Sequence, residues 1–216
     1  TNAKIYTVNR AAPEAEAIAV DERGVIIAVG SKKDVLAAAG ADAKVVDLGG
    51  RMVLPGFQDA HMHLIEAGVN EVLCEFEPFG DIDDTLATVE ECLKSSKGEW
   101  VLGSGVSMTN LLDESDNPIE LLDEIAPDRP VLILDDIGHG AWANSEGMRK
   151  AGYDRLEGNP PGGIILRNDQ GKPNGVVLEN AQQKLRNLAF PDTPANEDFA
   201  YGAMLETLKT MAANGI

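Results

Sequence analysis

A chain of 216 residues with 44% hydrophobic residues, 22 Gly and 11 Pro can form a hydrophobic core in one or two globular domains, which excludes the fibrous and disordered classes. Its 36 acidic residues outnumber 18 Lys and Arg, and the resulting net charge of -18 is spread along the chain. Phosphate binding needs basic patches, so no nucleic-acid partner is expected. No apolar run approaches the length of a membrane span, so no membrane partner is expected.

The first quarter of the chain has the pattern of short strands separated by turns. Turn signals at "DERG" and "LGG" divide the apolar runs, and "KKDVLAAAG" has a helical composition that ends at a glycine. Strands are predicted over "AKIYTV", "AEAIAV", "GVIIAVG", "KVVDLGG" and "RMVLPG". Residues 1–54 are therefore predicted to form a small β module, which the chain leaves at Pro55.

Helices and strands alternate after Pro55. The segment "TLATVEECLK" has apolar residues at helical spacing, and "EWVLGSG" fits a strand that enters a glycine-rich loop. The nearly continuous apolar run "RPVLILDD" is typical of a strand buried on both faces of a parallel sheet. Further helices are predicted over "PIELLDEIA", "NSEGMRKAG" and "NEDFAYGAMLETLKTMAANGI", and two strands around a turn over "GGIILRNDQGKPNGVVLE". This alternation favours an α/β barrel or a doubly wound sheet.

The cysteines and the start of the chain bear on cellular location. Cys74 and Cys92 lack CxxC spacing and are predicted to be reduced thiols of a cytoplasmic protein. The chain opens with "TNAKIYTVN", without an initiating Met, which leaves room for a leader that has been removed.

Two of the three histidines, His61 and His63, lie one residue apart in "MVLPGFQDAHMHL". On a strand, residues two apart project from the same face, so both imidazoles and Asp59 are predicted to point into one space. Imidazole is the commonest transition-metal ligand, and Asp59 is a candidate to orient one of the ligand rings through a hydrogen bond. The alternatives are two surface histidines or two core histidines bonded to backbone, because a metal site needs three or more ligands.

The context of this motif resembles the metal-dependent amidohydrolase superfamily. The resemblance is to the N-terminal portion of its amidohydrolase family 3 branch, which includes N-substituted formamide deformylases. It rests on segments in the family's order that cover most of the chain: "NAKIYTVN", "AIAVDERGVIIAVG", "VVDLGGRMVLPGFQDAHMHL", "LLDEIAPDRPVLI", "GHGAWANSEGMRKAG" and "PPGGIILRNDQGKPNGVVLENA".

The resemblance implies an α/β fold, a (β/α)₈ TIM-type barrel that is incomplete in this chain, with a small β-sandwich domain contributed by the N-terminal segment. Residues 1–54 are then part of the β-sandwich, and residues 55–216 are the first part of the barrel. A complete barrel takes about 250 residues, and only about 160 follow Pro55, so the barrel is incomplete. The resemblance implies that the stretch of about 70–180 is an insertion after the first barrel strand.

In that superfamily, the two histidines bind one or two divalent metal ions, with Zn²⁺ expected. The resemblance therefore implies that His61 and His63 are metal ligands. The remaining ligands are two histidines on middle strands and an aspartate on the last strand, which also moves the proton. These are expected beyond Ile216, so the resemblance implies that no catalytic residue lies in this chain and that the chain alone is inactive.

Three further residues are site candidates. Glu179 follows the apolar run "GVVL", and the resemblance implies a metal-bridging role; the alternative is an exposed carboxylate that opens the next helix and suits its dipole. His139, between two glycines in "GHGAWANS", resembles a family position near the substrate, although a lone loop histidine is more often structural. Trp142 is expected either to line the substrate pocket or to pack in the core.

The function implied is hydrolysis of a carbon–nitrogen bond in a small non-peptide amide. The metal ions lower the pKa of a bound water and polarise the amide carbonyl. A small-molecule amide substrate is the expected partner, and the resemblance allows a homodimer. The alternatives are a non-catalytic remnant or binding protein with the same fold, and a related branch such as imidazolonepropionase-like or D-aminoacylase-like hydrolases.

Overall fold

The computed structural model describes residues 1–70, 73–77 and 80–216. The chain divides into two compact units. The first unit comprises Thr1–His61 and Met211–Ile216, and the second unit comprises Met62–Thr210. Within the described residues, no helix combines the length and the apolar character needed to cross a membrane.

The first unit contains short strands and one helix. Its elements are β1 (Lys4–Tyr6), β2 (Glu14–Ala15), β3 (Ala17–Val20), β4 (Ile26–Gly30), α1 (Lys32–Ala39) and β5 (Met52–Val53). The strands form a sheet of order β2-β1-β5 and a separate β3-β4 hairpin. A small core of Ala17, Ala19 and Val35 joins the hairpin to α1. The predicted strands of this region are confirmed, with one exception.

The predicted strand over "KVVDLGG" is wrong. This segment does bond to the start of the chain, since Leu48 N–H donates to the Thr1 carbonyl at 2.9 Å. The Asp47 carboxylate, however, accepts from the Gly49 N–H at 2.8 Å, and Gly49 has φ of 61°. This local turn diverts the backbone from a ladder, because an aspartate side chain competes with strand pairing for backbone donors.

The second unit is a mixed sheet covered by helices. Its elements are α2 (Leu64–Asn70), β6 (Cys74–Glu75), α3 (Ile82–Ser95), β7 (Val101–Val106), α4 (Met108–Glu114), α5 (Pro118–Ile125), β8 (Val131–Asp135), β9 (Gly140–Ala143), α6 (Ser145–Ala151), β10 (Gly163–Arg167), β11 (Pro173–Glu179) and α7 (Asn180–Ala189). The last helix, α8, spans Pro194–Ala213. The six-stranded sheet has the order β10-β11-β9-β8-β7-β6, with β6, β7 and β8 parallel and the other pairs antiparallel.

Both faces of this sheet are buried, which explains the continuous apolar runs. Alternate residues of β8 enter two different clusters: Val131 and Ile133 pack with Leu122 of α5, and Leu132 packs with Leu185 of α7. A strand covered on both sides buries every second residue on each face, so it reads as uninterrupted apolar sequence. The helices and strands predicted after residue 80 are confirmed. The glycine-rich loop predicted in "EWVLGSG" is wrong, because the residues "GSG" lie within β7.

The predicted mixed α/β class is confirmed. The sheet occupies residues 74–179, close to the range predicted as an insertion. That assignment, the TIM-type barrel and the β-sandwich stay predictions, as does the domain division at residue 54.

The two cysteines are not reduced thiols. Cys74 on β6 and Cys92 on α3 form a disulfide, with their Cα atoms 6.1 Å apart. The two cysteines are eighteen positions apart in the sequence, so the absence of CxxC spacing did not exclude a disulfide. Disulfides are typical of oxidising compartments, so the cysteines no longer support the prediction of a cytoplasmic location. The cytoplasmic location itself stays a prediction.

Candidate active site

The segment that carries His61 and His63 is not a strand. Residues 54–63 have neither helical nor strand geometry, and α2 begins at Leu64. A strand needs a neighbour to pair with, and among the described residues this segment pairs with none as a ladder. The prediction that alternation places both imidazoles and Asp59 on one strand face is therefore wrong. The division between the two units also falls between the histidines, since His61 ends one range and Met62 begins the next.

The Asp59 carboxylate contacts the backbone of His61. Its Oδ1 accepts the His61 backbone N–H at 2.9 Å, which is an Asx-type turn. This bond fixes the main chain at His61. A hydrogen bond from Asp59 that orients an imidazole ring stays a prediction.

His63 is held by a carboxylate. Its carbonyl accepts the Ala67 N–H at 2.8 Å, which places His63 at the start of α2. Its Nδ1 lies 2.7 Å from Glu66 Oε2, and Arg186 Nη2 on α7 lies 2.6 Å from Glu66 Oε1. Burial raises the pKa of Glu66, but the hydrogen bonds from His63 and Arg186 outweigh burial and bring the pKa below its ordinary value. An ionised carboxylate only accepts, so Nδ1 is the donor and the lone pair of the neutral ring is on Nε2.

His139 and Glu179 meet at the edge of the sheet. The Glu179 backbone N–H donates to the His139 carbonyl at 2.8 Å, and His139 Nδ1 lies 3.3 Å from both carboxylate oxygens. Both side chains are exposed. The pairing of β11 with β9 brings together two candidates that lie forty residues apart.

Glu179 has a strained backbone. Its φ of 53° and ψ of -133° fall outside the regions that residues with a Cβ normally adopt, and such strain costs about 1–3 kcal/mol. Within the described structure its side chain does not cap α7, although the residue stands at the N-terminus of that helix. The alternative role, in which Glu179 is an exposed carboxylate that only opens the helix, is therefore not supported by a capping hydrogen bond. Strain at a residue that faces a histidine is typical of a functional position.

Asp135, which was not predicted as a site residue, lies beside this pair. It ends β8, is buried, and lies next to Asp136, which precedes His139 in the connecting turn. Burial, together with the hydrogen bond and charge of Asp136, raises its pKa to about 6, although hydrogen bonds from the backbone N–H groups of Met108 and His139 oppose the rise. The signal was present in the sequence as two aspartates at the end of the buried run "VLILDD".

We expect Asp135→Asn to raise the free energy of unfolding at pH 7.5 by about 1–2 kcal/mol and to change it little near pH 3.5. The folded pKa of about 6 exceeds the ordinary value of 3.8, so between these values the folded state keeps a proton that the unfolded state has lost. Stability therefore falls as the pH rises from about 4 to about 6, and asparagine removes this loss. Urea unfolding at both pH values measures the difference. Asp169→Asn, in an exposed turn, is the control, and an equal gain at both pH values would contradict the assignment.

Trp142 is a core residue in this structure. It lies on β9 with no exposed surface, and its indole N–H donates to the Pro118 carbonyl at 3.1 Å. It packs in the cluster that includes Ile133 and Val176. These contacts agree with the alternative in which Trp142 packs in the core. A role for Trp142 in the substrate pocket stays a prediction.

The donor chemistry of this chain fits a divalent metal, but a complete ligand set is not gathered. At His63 the fit is good, because a carboxylate on Nδ1 is the usual partner of a metal-binding imidazole. Across residues 1–70, 73–77 and 80–216, however, no three His, Cys, Asp or Glu side chains come together as a metal site. The described residues thus offer individual candidate ligands and, at His63, a carboxylate that holds the ring. A site with three or more ligands needs further donors.

Comparison with known proteins gives a consistent family. A model of the "Amidohydrolase family" matches residues 44–216. N-substituted formamide deformylase of Arthrobacter pascens is 34% identical over 194 residues, which cover 88% of this chain and 36% of the deformylase. Protein LONG AFTER FAR-RED 3 of Arabidopsis thaliana is 32% identical over 174 residues, 80% of this chain and 30% of that protein.

A solved structure shows the same fold. An uncharacterized metal-dependent hydrolase from Pyrococcus furiosus superimposes with a TM-score of 0.62 at 20% identity. The match covers 100% of this chain and 42% of the hydrolase. The chain thus spans about a third of the length of the curated relatives and about two fifths of this structural neighbour.

Proposed function

The chain belongs to the amidohydrolase family, and from this premise we propose that it is the N-terminal portion of a metal-dependent hydrolase that cleaves carbon–nitrogen bonds in small non-peptide amides. The observation that carries the proposal is the carboxylate on Nδ1 of His63, within the part of the chain that the family model matches. A carboxylate on Nδ1 leaves Nε2 as the nitrogen that can bind a metal ion. The HxH pattern adds a second imidazole two residues away in the sequence.

We assign His61 and His63 as ligands of one or two divalent metal ions, with Zn²⁺ the expected ion. When bound, such an ion supplies a Lewis acid that lowers the pKa of water and polarises a carbonyl. Glu179 is proposed as a further ligand, and its strained backbone and exposed carboxylate support that role. The remaining ligands and the aspartate that moves the proton are assigned to parts of the protein outside these 216 residues.

His139 is proposed to act at the substrate. Its Nδ1 faces Glu179, so the ring is oriented by the same carboxylate that we assign to the metal. An oriented imidazole can donate a hydrogen bond to an amide substrate. The similarity to N-substituted formamide deformylase makes N-substituted formamides the first substrate class to test.

The test is hydrolysis by the full-length protein before and after metal removal. We expect turnover of an N-substituted formamide, loss of that turnover after treatment with a chelator, and recovery when Zn²⁺ is added back. An N-acetyl analogue tests whether the formyl group is required, and a dipeptide tests whether peptide bonds are cleaved. Full activity in protein shown by elemental analysis to be metal-free would refute the metal assignment. A metal-loaded protein that turns over none of these amides would refute the reaction.

A further inference from the structure

His63 is the first member of a chain of three side chains that joins two helices of the second unit. Its Nδ1 lies 2.7 Å from Glu66 Oε2, and Arg186 Nη2 lies 2.6 Å from Glu66 Oε1. Each carboxylate oxygen therefore has its own partner, one at the start of α2 and the other on α7. A carboxylate held at both oxygens cannot turn away from the imidazole without breaking an ion pair.

We propose that Glu66 and Arg186 are positioning residues for His63, an inference that rests on the proposed function because it treats His63 as a metal ligand. Glu66 keeps the ring in the tautomer whose lone pair is on Nε2 and increases the basicity of that nitrogen. Arg186 acts through Glu66, by fixing the direction of the carboxylate. The sequence pattern HxH does not reveal either residue.

A simple helix-surface ion pair has a different geometry in this protein. Glu146 and Arg149 are three residues apart on α6, and both oxygens of Glu146 contact the same guanidinium, at 2.6 and 2.8 Å. Glu66 instead divides its oxygens between a histidine three residues before it and an arginine on another helix. The Glu146 pair is thus a natural control for the effect of removing an exposed ion pair.

The ion pair of Glu66 and Arg186 is partly exposed. Both residues line a cavity of about 280 Å³, whose wall also includes Leu102 and Leu132. The Arg186 side chain is 26% exposed. The Glu66 side chain is 42% exposed, and polar residues such as Asn187 also line the cavity. The position of the carboxylate is therefore fixed by its two contacts and not by burial.

Co²⁺ binding to the full-length protein tests the proposal. Co²⁺ can be titrated by competition with a chelator, and its visible absorption reports the geometry of its ligands. We expect Glu66→Gln to raise the Co²⁺ dissociation constant about 10–100-fold and to change the absorption spectrum. Arg186→Gln should weaken binding less, about 3–10-fold, because Glu66 remains. The double variant should bind about as weakly as Glu66→Gln, and Glu146→Gln should match the wild type.

The outcomes separate this inference from the proposed function. If His63→Ala loses Co²⁺ while Glu66→Gln keeps the wild-type affinity and spectrum, the positioning role is refuted and the metal assignment stands. If His63→Ala also binds like the wild type, the metal assignment fails. Should Glu66→Gln not fold by circular dichroism, Arg186→Gln decides: wild-type affinity refutes the proposal, and a loss of about 3–10-fold with an altered spectrum supports it.

Discussion

Replacing His61 and His63 together by alanine is expected to remove the bound metal from the full-length protein and to slow amide hydrolysis at least about 1,000-fold. The proposed site draws two nitrogen ligands from this chain, and a site with two ligands fewer cannot hold a catalytic metal ion. Elemental analysis of the purified variant measures the metal content. Single-turnover hydrolysis of an N-substituted formamide measures the chemical step.

Met62→Ala is the matched control for this double variant. Met62 stands between the two histidines and is 42% exposed, so its truncation disturbs the same segment without removing a nitrogen ligand. We expect it to keep metal content and rate within about twofold of the wild type, as is usual for exposed positions. Wild-type metal content and rate in the double variant would overturn the assignment of both histidines. If Met62→Ala lost as much metal and activity as the double variant, the effect would come from misfolding of this segment and not from the loss of ligands.

The second unit was largely predictable because its elements depend on local patterns. The run "VLILD" became β8, buried on both faces, and helix α6 begins at an Asn144 cap and ends at Gly152 with φ of 69°. Apolar continuity and helix caps act within a few residues, so the sequence displays them directly. The mixed order of the sheet depends on contacts between distant segments, and no local pattern specifies it.

The partners of the histidines could not be read from the sequence for the same reason. Arg186 lies 120 residues after Glu66, and Glu179 lies 40 residues after His139; only the packed sheet and helices bring these pairs together. The strand predicted at His61 and His63 also failed on a long-range condition, since a strand forms only where a neighbour pairs with it.

Helix α7 links the two histidines of the second unit. Glu179 immediately precedes it and faces His139, and Arg186, two turns further on, holds the carboxylate of Glu66 that contacts His63. The buried residues of α7, Ala181, Gln182 and Leu185, fix it against the sheet. The contact of Glu66 with Arg186 therefore depends on the packing of α7, whereas Glu179, the last residue of β11, is placed beside His139 by the pairing of β11 with β9.

The largest expected effect on stability is that of Trp142→Ala, which should destabilise the second unit by about 3–5 kcal/mol. The side chain is fully buried between Ile133 of β8 and Val176 of β11, so truncation leaves a cavity at the centre of the sheet. It also leaves the Pro118 carbonyl without its indole donor. Native-state hydrogen exchange measures this locally, and we expect the amides of β8, β9 and β11 to lose about 150-fold to 4,000-fold in protection.

Two further variants separate packing from substrate binding. Trp142→Phe keeps most of the ring and loses the hydrogen bond, so it should cost about 1–3 kcal/mol while leaving KM for the amide unchanged. Tyr201→Ala, at an aromatic residue that is 60% exposed, should change stability by less than about 0.5 kcal/mol. If Trp142→Phe instead raised KM severalfold at unchanged stability, the indole would belong to the substrate pocket. A core role predicts the reverse, because a side chain with no exposed surface can act on a substrate only through the strands it supports.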